Sequence, residues 1–341
     1  MTINVALCTS GALVLGCDSV ASIARPLLDP WSYIRRGADG SPLYDEDGRL
    51  QATFEINDVQ SVVTQVFGGV TKIFPLCNTA GTHVAATTAG LAALGGRSME
   101  DLAGEFRSEV DKLNGAGCDT VQGVAERFAT FLRGHYDAHY GADPIPDSFK
   151  DDIEFLVGGY GGADHFASIW RINMLPNTVV EVYKSGAFGC AWAGQSDGVG
   201  RLVFGCDSRL KRQLLHTVQQ RIDGLYEAYS QATAKIVENI LKALGAAMPE
   251  GIDTSLPDKP NFDFPWAEHQ LDIECQNLPL QDAIDLVTYL VYVQAGRMKF
   301  VRGVPTVGGR IRVGYMTRAT GFRLLNEPEI VHRITGFPVH V

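Results

Sequence analysis

At 341 residues, 45% hydrophobic and 20% charged, the chain has the make-up of a globular protein with a sizeable core, so no disulfide or metal is needed to hold it. A net charge of −10 argues against a general nucleic-acid binder, which would present a basic face. The seven cysteines (Cys8, Cys17, Cys77, Cys118, Cys190, Cys206, Cys275) are scattered with no C-x-x-C pair and no metal spacing, and the start lacks a leader pattern. No apolar run approaches membrane-spanning length. The expectation is a reduced, cytoplasmic protein without metal or membrane.

Ile3 to Cys8 and Ala12 to Cys17 are apolar, β-rich and joined by the turn Ser10-Gly11, which predicts a hairpin. Ile23 to Gly69, with Pro26, Pro30, Pro42 and the turn Asp45-Glu46-Asp47-Gly48, reads as a long excursion with one short hairpin near Leu50 to Ile56. Thr71 to Leu76 and His83 to Thr88 read as a second strand pair. Gly90 to Leu94 reads as the start of a helix of small residues, and Ser98 as the cap of a further helix. Apolar residues at helical spacing predict that helix through Leu102, Phe106 and Val110, and another over Val121 to Tyr140. Strands are predicted at Ile153 to Gly159, Phe166 to Asn173, Thr178 to Ser185 and Phe188 to Ala193. A long helical region from Gly198 to about Leu244 and a Pro-rich loop, Pro249 to Pro265, precede a helix at Leu280 to Ala295. Val307 to Tyr315 reads as a last strand and Phe337 to Val341 as a short tail. This order does not alternate as a doubly wound sheet does. It fits an α+β fold of two antiparallel sheets stacked between helix layers.

The chemistry starts at Thr2. Its small side chain allows Met1 to be removed, which would leave a free α-amine beside the Thr hydroxyl, a nucleophile and a base on one residue. Taken alone, an ordinary N-terminal strand is the simpler reading. His135 and His139 are four apart but lack a third ligand at zinc spacing. The glycines Gly158 to Gly162 lack a dinucleotide-binding pattern.

Four pieces in order resemble the proteasome β subunit, or its bacterial heat-shock protease relative, in the N-terminal nucleophile hydrolase superfamily. They are Thr2 to Ser22 with Asp18-Ser19; Thr71-Lys72-Ile73; Ala89-Gly90-Leu91-Ala92-Ala93; and a distributed set at Phe155 to Tyr160, Gly194 to Ser196 and Val307-Gly308-Gly309. The resemblance implies a single domain over 1–341, a four-layer αββα sandwich, with insertions at about 23–70 and 209–279. It implies a threonine-type hydrolase of peptide (amide) bonds with no cofactor. Thr2 would be the nucleophile, Asp18 and Lys72 its charged partners, Gly90 the oxyanion donor, and Ser196 a supporting hydroxyl through a one-residue shift. Ser22, Thr88 and Ala92 would meet the substrate, a peptide or protein. A homo-oligomer, with a ring as one form, is a further implication, and the presence of an ATPase partner is left open. The chain departs from the pattern at Gln195, Val304 and Val307, and the Lys comes late. These departures motivate one alternative, a non-catalytic ring or scaffold subunit; a second is an amidase or acyltransferase for small molecules, with the long insertions closing the site.

Overall fold

The computed structural model describes residues 2–27, 29–54, 60–79, 81–113, 115–141, 145–206, 208–245, 259–262 and 271–325. By contact clustering the chain divides into one unit of Met1–Gln195 with Glu274–Val341 and a second of Ser196–Ile273. The expected tail at Phe337 to Val341 and most of the loop at Pro249 to Pro265 lie outside the described residues.

In the first unit, β1 (Ile3–Cys8) and β2 (Leu13–Cys17) form the expected hairpin. Thr9 closes its turn by accepting from the N–H groups of Gly11 and Ala12. After it come β3 (Ala21–Leu27), β4 (Gln60–Phe67), β5 (Ile73–Thr79), β6 (Thr82–Ala89), β7 (Ala93–Leu94) and β8 (Arg97–Ser98). Helices α1 (Met99–Lys112) and α2 (Val121–Tyr140) follow, then β9 (Glu154–Tyr160), β10 (Ser168–Asn173), β11 (Thr178–Tyr183) and β12 (Gly189–Gly194). The second unit carries α3 (Asp197–Phe204) and α4 (Ser208–Leu244). Helix α5 (Leu280–Met298), β13 (Arg312–Thr317) and β14 (Gly321–Leu324) return to the first unit.

Two five-stranded antiparallel sheets result, in the orders β12-β1-β2-β13-β14 and β11-β10-β9-β6-β5. The fold is mixed, with antiparallel sheets and helices. Every residue of β1 and β2 is buried, so these strands read as continuous apolar runs instead of alternating ones. One face meets α5 and the other meets β6 and β9. Gly16 permits the close approach of α5, since a Cβ there would come within 2.3 Å of Val287 Cγ1. Between the sheets lie Ala6, Leu13, Leu15, Leu156, Ile169 and Met316. Helices α1 and α2 cover the second sheet, α1 on β5 and α2 on β6, β9 and β10. Phe128 is the hub there, its ring 5.0 Å from Phe106 and 5.3 Å from Phe155.

Three local expectations are corrected. Gly90 to Leu94 starts no helix: Ala93–Leu94 pairs with Arg97–Ser98 across Gly95-Gly96, both at positive φ. A two-residue Gly-Gly turn of that kind closes a hairpin and overrides the helical preference of Ala and Leu. The hairpin expected near Leu50 to Ile56 is displaced, with Ala52 bridging Ile34 antiparallel, and 55–56 lie outside the described residues. Instead β3 pairs with β4 as a two-stranded ribbon, and Leu50 bridges Tyr44. The last strand begins at Arg312, and β14, which was not anticipated, pairs with it.

In the second unit, the expected single helical region is broken between α3 and α4 by Gly205 at φ +73°, the left-handed position that ends helices. Leu271 N–H donates to Val203 O, and Phe262 N–H donates to Gln219 Oε1. No described helix is long and apolar enough to cross a membrane.

Candidate functional site

The hairpin ends put Thr2 and Asp18 side by side. Antiparallel pairing sets Asn4 opposite Cys17, and one step further Asp18 N–H donates to Ile3 O. Asp18 is fully buried. Its Oδ1 accepts from Ile3 N–H at 3.2 Å, and its Oδ2 from Val20 N–H at 3.2 Å and Gly308 N–H at 3.1 Å. A carboxylate taken out of water needs such donors.

Lys72 supplies the fourth donor. It stands just ahead of β5, 4% exposed, with Nζ 2.8 Å from Asp18 Oδ1 and 2.7 Å from Thr2 Oγ1. Nζ also donates to Val20 O. An ammonium has three N–H bonds and no lone pair. Three oxygens meet it here, Asp18 Oδ1, Thr2 Oγ1 and Val20 O.

Thr2 is clamped from the other side by β12. Gln195 N–H donates to Thr2 O at 2.6 Å. Gly194, at φ +76°, lies so close that a Cβ would come within 2.2 Å of Thr2 O. Gln195 Oε1 accepts from Thr306 Oγ1 at 2.9 Å. Of the positions where the sequence departs from its motif, Gln195 thus has a polar partner in Thr306, next to Val307. Ser196 is the first residue of the second unit and stands at the N-cap of α3.

Beside Thr2 opens a cleft of about 680 Å³. Ala21 to Ala24 and Phe67 of the ribbon form one wall, and Ala89 to Ala93 with Asp151, Asp152 and Glu154 the other. A narrow pocket continues from it, lined by Thr71, Lys72, Thr88 and Met99. Thr2, Ser22, Gly90 and Ala92 line both. Six of the eight candidate residues therefore line this space, Thr2, Lys72, Gly90, Ser22, Thr88 and Ala92, and Asp18 is buried against Lys72 at 2.8 Å. Gly90 has φ +106°, and a Cβ would come within 2.1 Å of Asp152 O, so only glycine fits.

Sequence reasoning passed over the acidic wall. Glu154 Oε2 accepts from Gly194 N–H at 3.0 Å, and its Oε1 lies 3.2 Å from Arg171 Nε. Burial pushes the Glu154 carboxyl above its ordinary value, against the lowering effect of Gly194 N–H and Arg171. Cys17, next to Asp18, is fully buried and its thiol is pushed up to about 12, chiefly by burial. It stays protonated at neutral pH and so is no nucleophile.

No family model matches the chain, and no curated protein matches it. Among solved structures it is similar to the Anbu Gly-1 mutant from Hyphomicrobium sp. strain MC1, at TM-score 0.45 and 9% identity over 96% of this chain and 87% of that one. It is similar to Anbu (ancestral beta-subunit) from Yersinia bercovieri, at TM-score 0.41 and 11% identity over 95% and 87%. A structure described as the helical assembly of the Anbu complex from Pseudomonas aeruginosa matches at TM-score 0.44 and 11% identity over 98% and 89%. The resemblance to proteasome β subunits and the bacterial heat-shock protease is corrected accordingly: no family model or curated protein supports it, and the structures named here are Anbu proteins. The motif pieces that carried it are short strand and turn fragments, which recur wherever a strand meets a glycine turn.

Proposed function

We propose that this chain is an amide hydrolase whose nucleophile is Thr2, exposed as the N-terminal residue by removal of Met1. The observation that carries the reading is Lys72 Nζ donating to Thr2 Oγ1 at 2.7 Å while held by buried Asp18 at 2.8 Å. A fixed cation at the nucleophile's oxygen favours the charge that develops there as its proton leaves.

Because Lys72 donates, the proton acceptor is the freed α-amine of Thr2. Its ordinary pKa of about 7.7–8.0 leaves part of it neutral near pH 7. Thr2 Oγ bonds to the carbonyl carbon, its proton passes to the α-amine, and the carbonyl oxygen becomes an oxyanion that meets the Gly90 N–H. The C–N bond then breaks and the leaving amine takes the proton back, leaving an ester on Thr2. Water adds to the ester with its proton going to the α-amine. The ester bond breaks and Thr2 Oγ regains a proton. Positioned base help contributes typically ~10²–10⁴ in rate. Ser22, Thr88 and Ala92 line the substrate's path, and no step needs a cofactor.

The single-domain organisation, the four-layer stacking, a cytoplasmic setting and homo-oligomeric assembly belong to the same reading. Intact mass should show a chain beginning at Thr2. A Thr-directed electrophile should add one label, and Thr2→Ala should abolish both labelling and turnover of peptide amides. Retention of Met1 in protein purified from its native host would sink the assignment.

A further inference from the structure

The cleft carries a charge pattern that the nucleophile itself does not use. Asp151, Asp152 and Glu154 line it together, and no Lys or Arg is among its described lining residues. The cations beside it are already paired: Arg171 with Glu154 of the cleft wall at 3.2 Å, Lys150 with Asp147 at 2.9 Å, and Lys72 of the adjoining pocket with Asp18 at 2.8 Å. Asp151 and Asp152 are exposed to the cleft's solvent.

Their positions are fixed. Tyr136 and Tyr140 of α2 grip the backbone of Asp151, one hydroxyl donating to its carbonyl at 2.8 Å and the other accepting its N–H at 2.7 Å. Leu175 N–H donates to Asp152 Oδ1 at 3.1 Å. Asp152 O in turn packs against Gly90, the proposed oxyanion donor. Asp151, Asp152 and Gly90 thus line one cleft.

A second observation points to an occupant. The narrow end shares Thr2, Ser22, Gly90 and Ala92 with the cleft, and there Thr88 is 4% exposed while its Oγ1 has no hydrogen-bond partner among the described residues. A buried hydroxyl left so is unfavourable until a polar group reaches it.

We propose that the cleft selects peptide amides carrying a Lys- or Arg-type side chain, held by Asp151 and Asp152 beside the bond that Thr2 attacks. This rests on the nucleophile reading for the chemistry, but not for the binding. Among the described residues no ion pair reaches Asp151 or Asp152, so their charge acts against an oxyanion formed in the same cleft. A bound cation cancels that opposition, so the preference enters the rate of the chemical step as well as substrate affinity.

The test uses matched fluorogenic peptide amides that differ only in arginine or neutral citrulline beside the scissile bond, on either side of it. We expect kcat/KM for the arginine peptide to be about fivefold to tenfold higher at low salt, from two exposed charge pairs, with the ratio shrinking at high salt. In the double variant Asp151→Asn/Asp152→Asn the ratio should approach one. Because Asp152 also holds Leu175 N–H, Asp151→Asn alone is the second variant, and it must lower the ratio by itself. In parallel, fluorescence anisotropy on the full chain carrying Thr2→Ala should show tighter binding of the arginine peptide, lost when Asp151 and Asp152 are also changed. Equal binding and equal turnover of the two peptides overturn the proposal. A binding preference without any wild-type turnover would instead overturn the nucleophile assignment and leave the charge selection standing.

Discussion

At the scale of single residues, the site is organised around a buried ion pair that a third residue shares. Asp18 and Lys72 are 0% and 5% exposed by side chain and 2.8 Å apart. Removing either strands the other in a medium that solvates it poorly. Asp18→Ala should lower unfolding free energy by roughly 3–5 kcal/mol. The double variant with Lys72→Ala should lose much less than the sum of the two singles, because the second removal relieves the first. Urea denaturation of the four proteins measures this, and additive losses would mean the pair does not act as one unit. Glu154 gives a pH-dependent counterpart. Burial raises its folded pKa above the unfolded value, so the native state binds the proton more tightly. Its contribution is fully present below the unfolded pKa and is lost as pH rises through the folded one. Glu154→Gln should remove that fall in stability across the acidic range, read from thermal midpoints at stepped pH.

At the scale of elements, two glycines separate backbone demands from helix propensity. Gly90 ends β6 at φ +106° against Asp152 O. Gly90→Ala should destabilise by at least ~1–3 kcal/mol, the usual order for a residue forced into sparsely populated backbone conformation, and should reduce turnover by shifting the candidate oxyanion donor. Gly134 lies within α2 with nothing near its would-be Cβ. Gly134→Ala should stabilise by roughly 0.5–1 kcal/mol. Thermal unfolding of both variants checks the contrast, and a destabilised Gly134→Ala would deny the open space at that face.

At the scale of the whole molecule, the ribbon of β3 and β4 and the chain between them hold exposed apolar side chains. Leu27, Trp31, Tyr44, Phe54 and Phe67 are each 49–73% exposed. Large exposed apolar patches mark association surfaces, which supports the homo-oligomer. Light scattering should give a mass above that of one chain, and charged substitutions at Trp31 and Tyr44 should lower it. A single-chain mass at micromolar concentration would rule out this use of the ribbon.

What sequence by itself determined was local. The β1–β2 hairpin was legible because its apolar runs flank a two-residue turn. Helix α1 was legible because Ser98 caps it, its Oγ accepting from Asp101 N–H at 3.1 Å. Thr2 and Asp18 were legible as neighbours because one hairpin joins them. Tertiary structure decided whatever depends on partners distant along the chain. The β3–β4 ribbon pairs Ala21 with Phe67, and no local pattern between them announces it. Gly308 reaches Asp18 from 290 positions away, and Thr306 reaches Gln195 from 111. The carboxylates of Asp151, Asp152 and Glu154 carry no motif of their own, and only the fold sets them along one cleft with Thr2 and Gly90. Hydrogen bonds and charge act over a few ångströms of space, and only the folded chain brings such distant residues within that range.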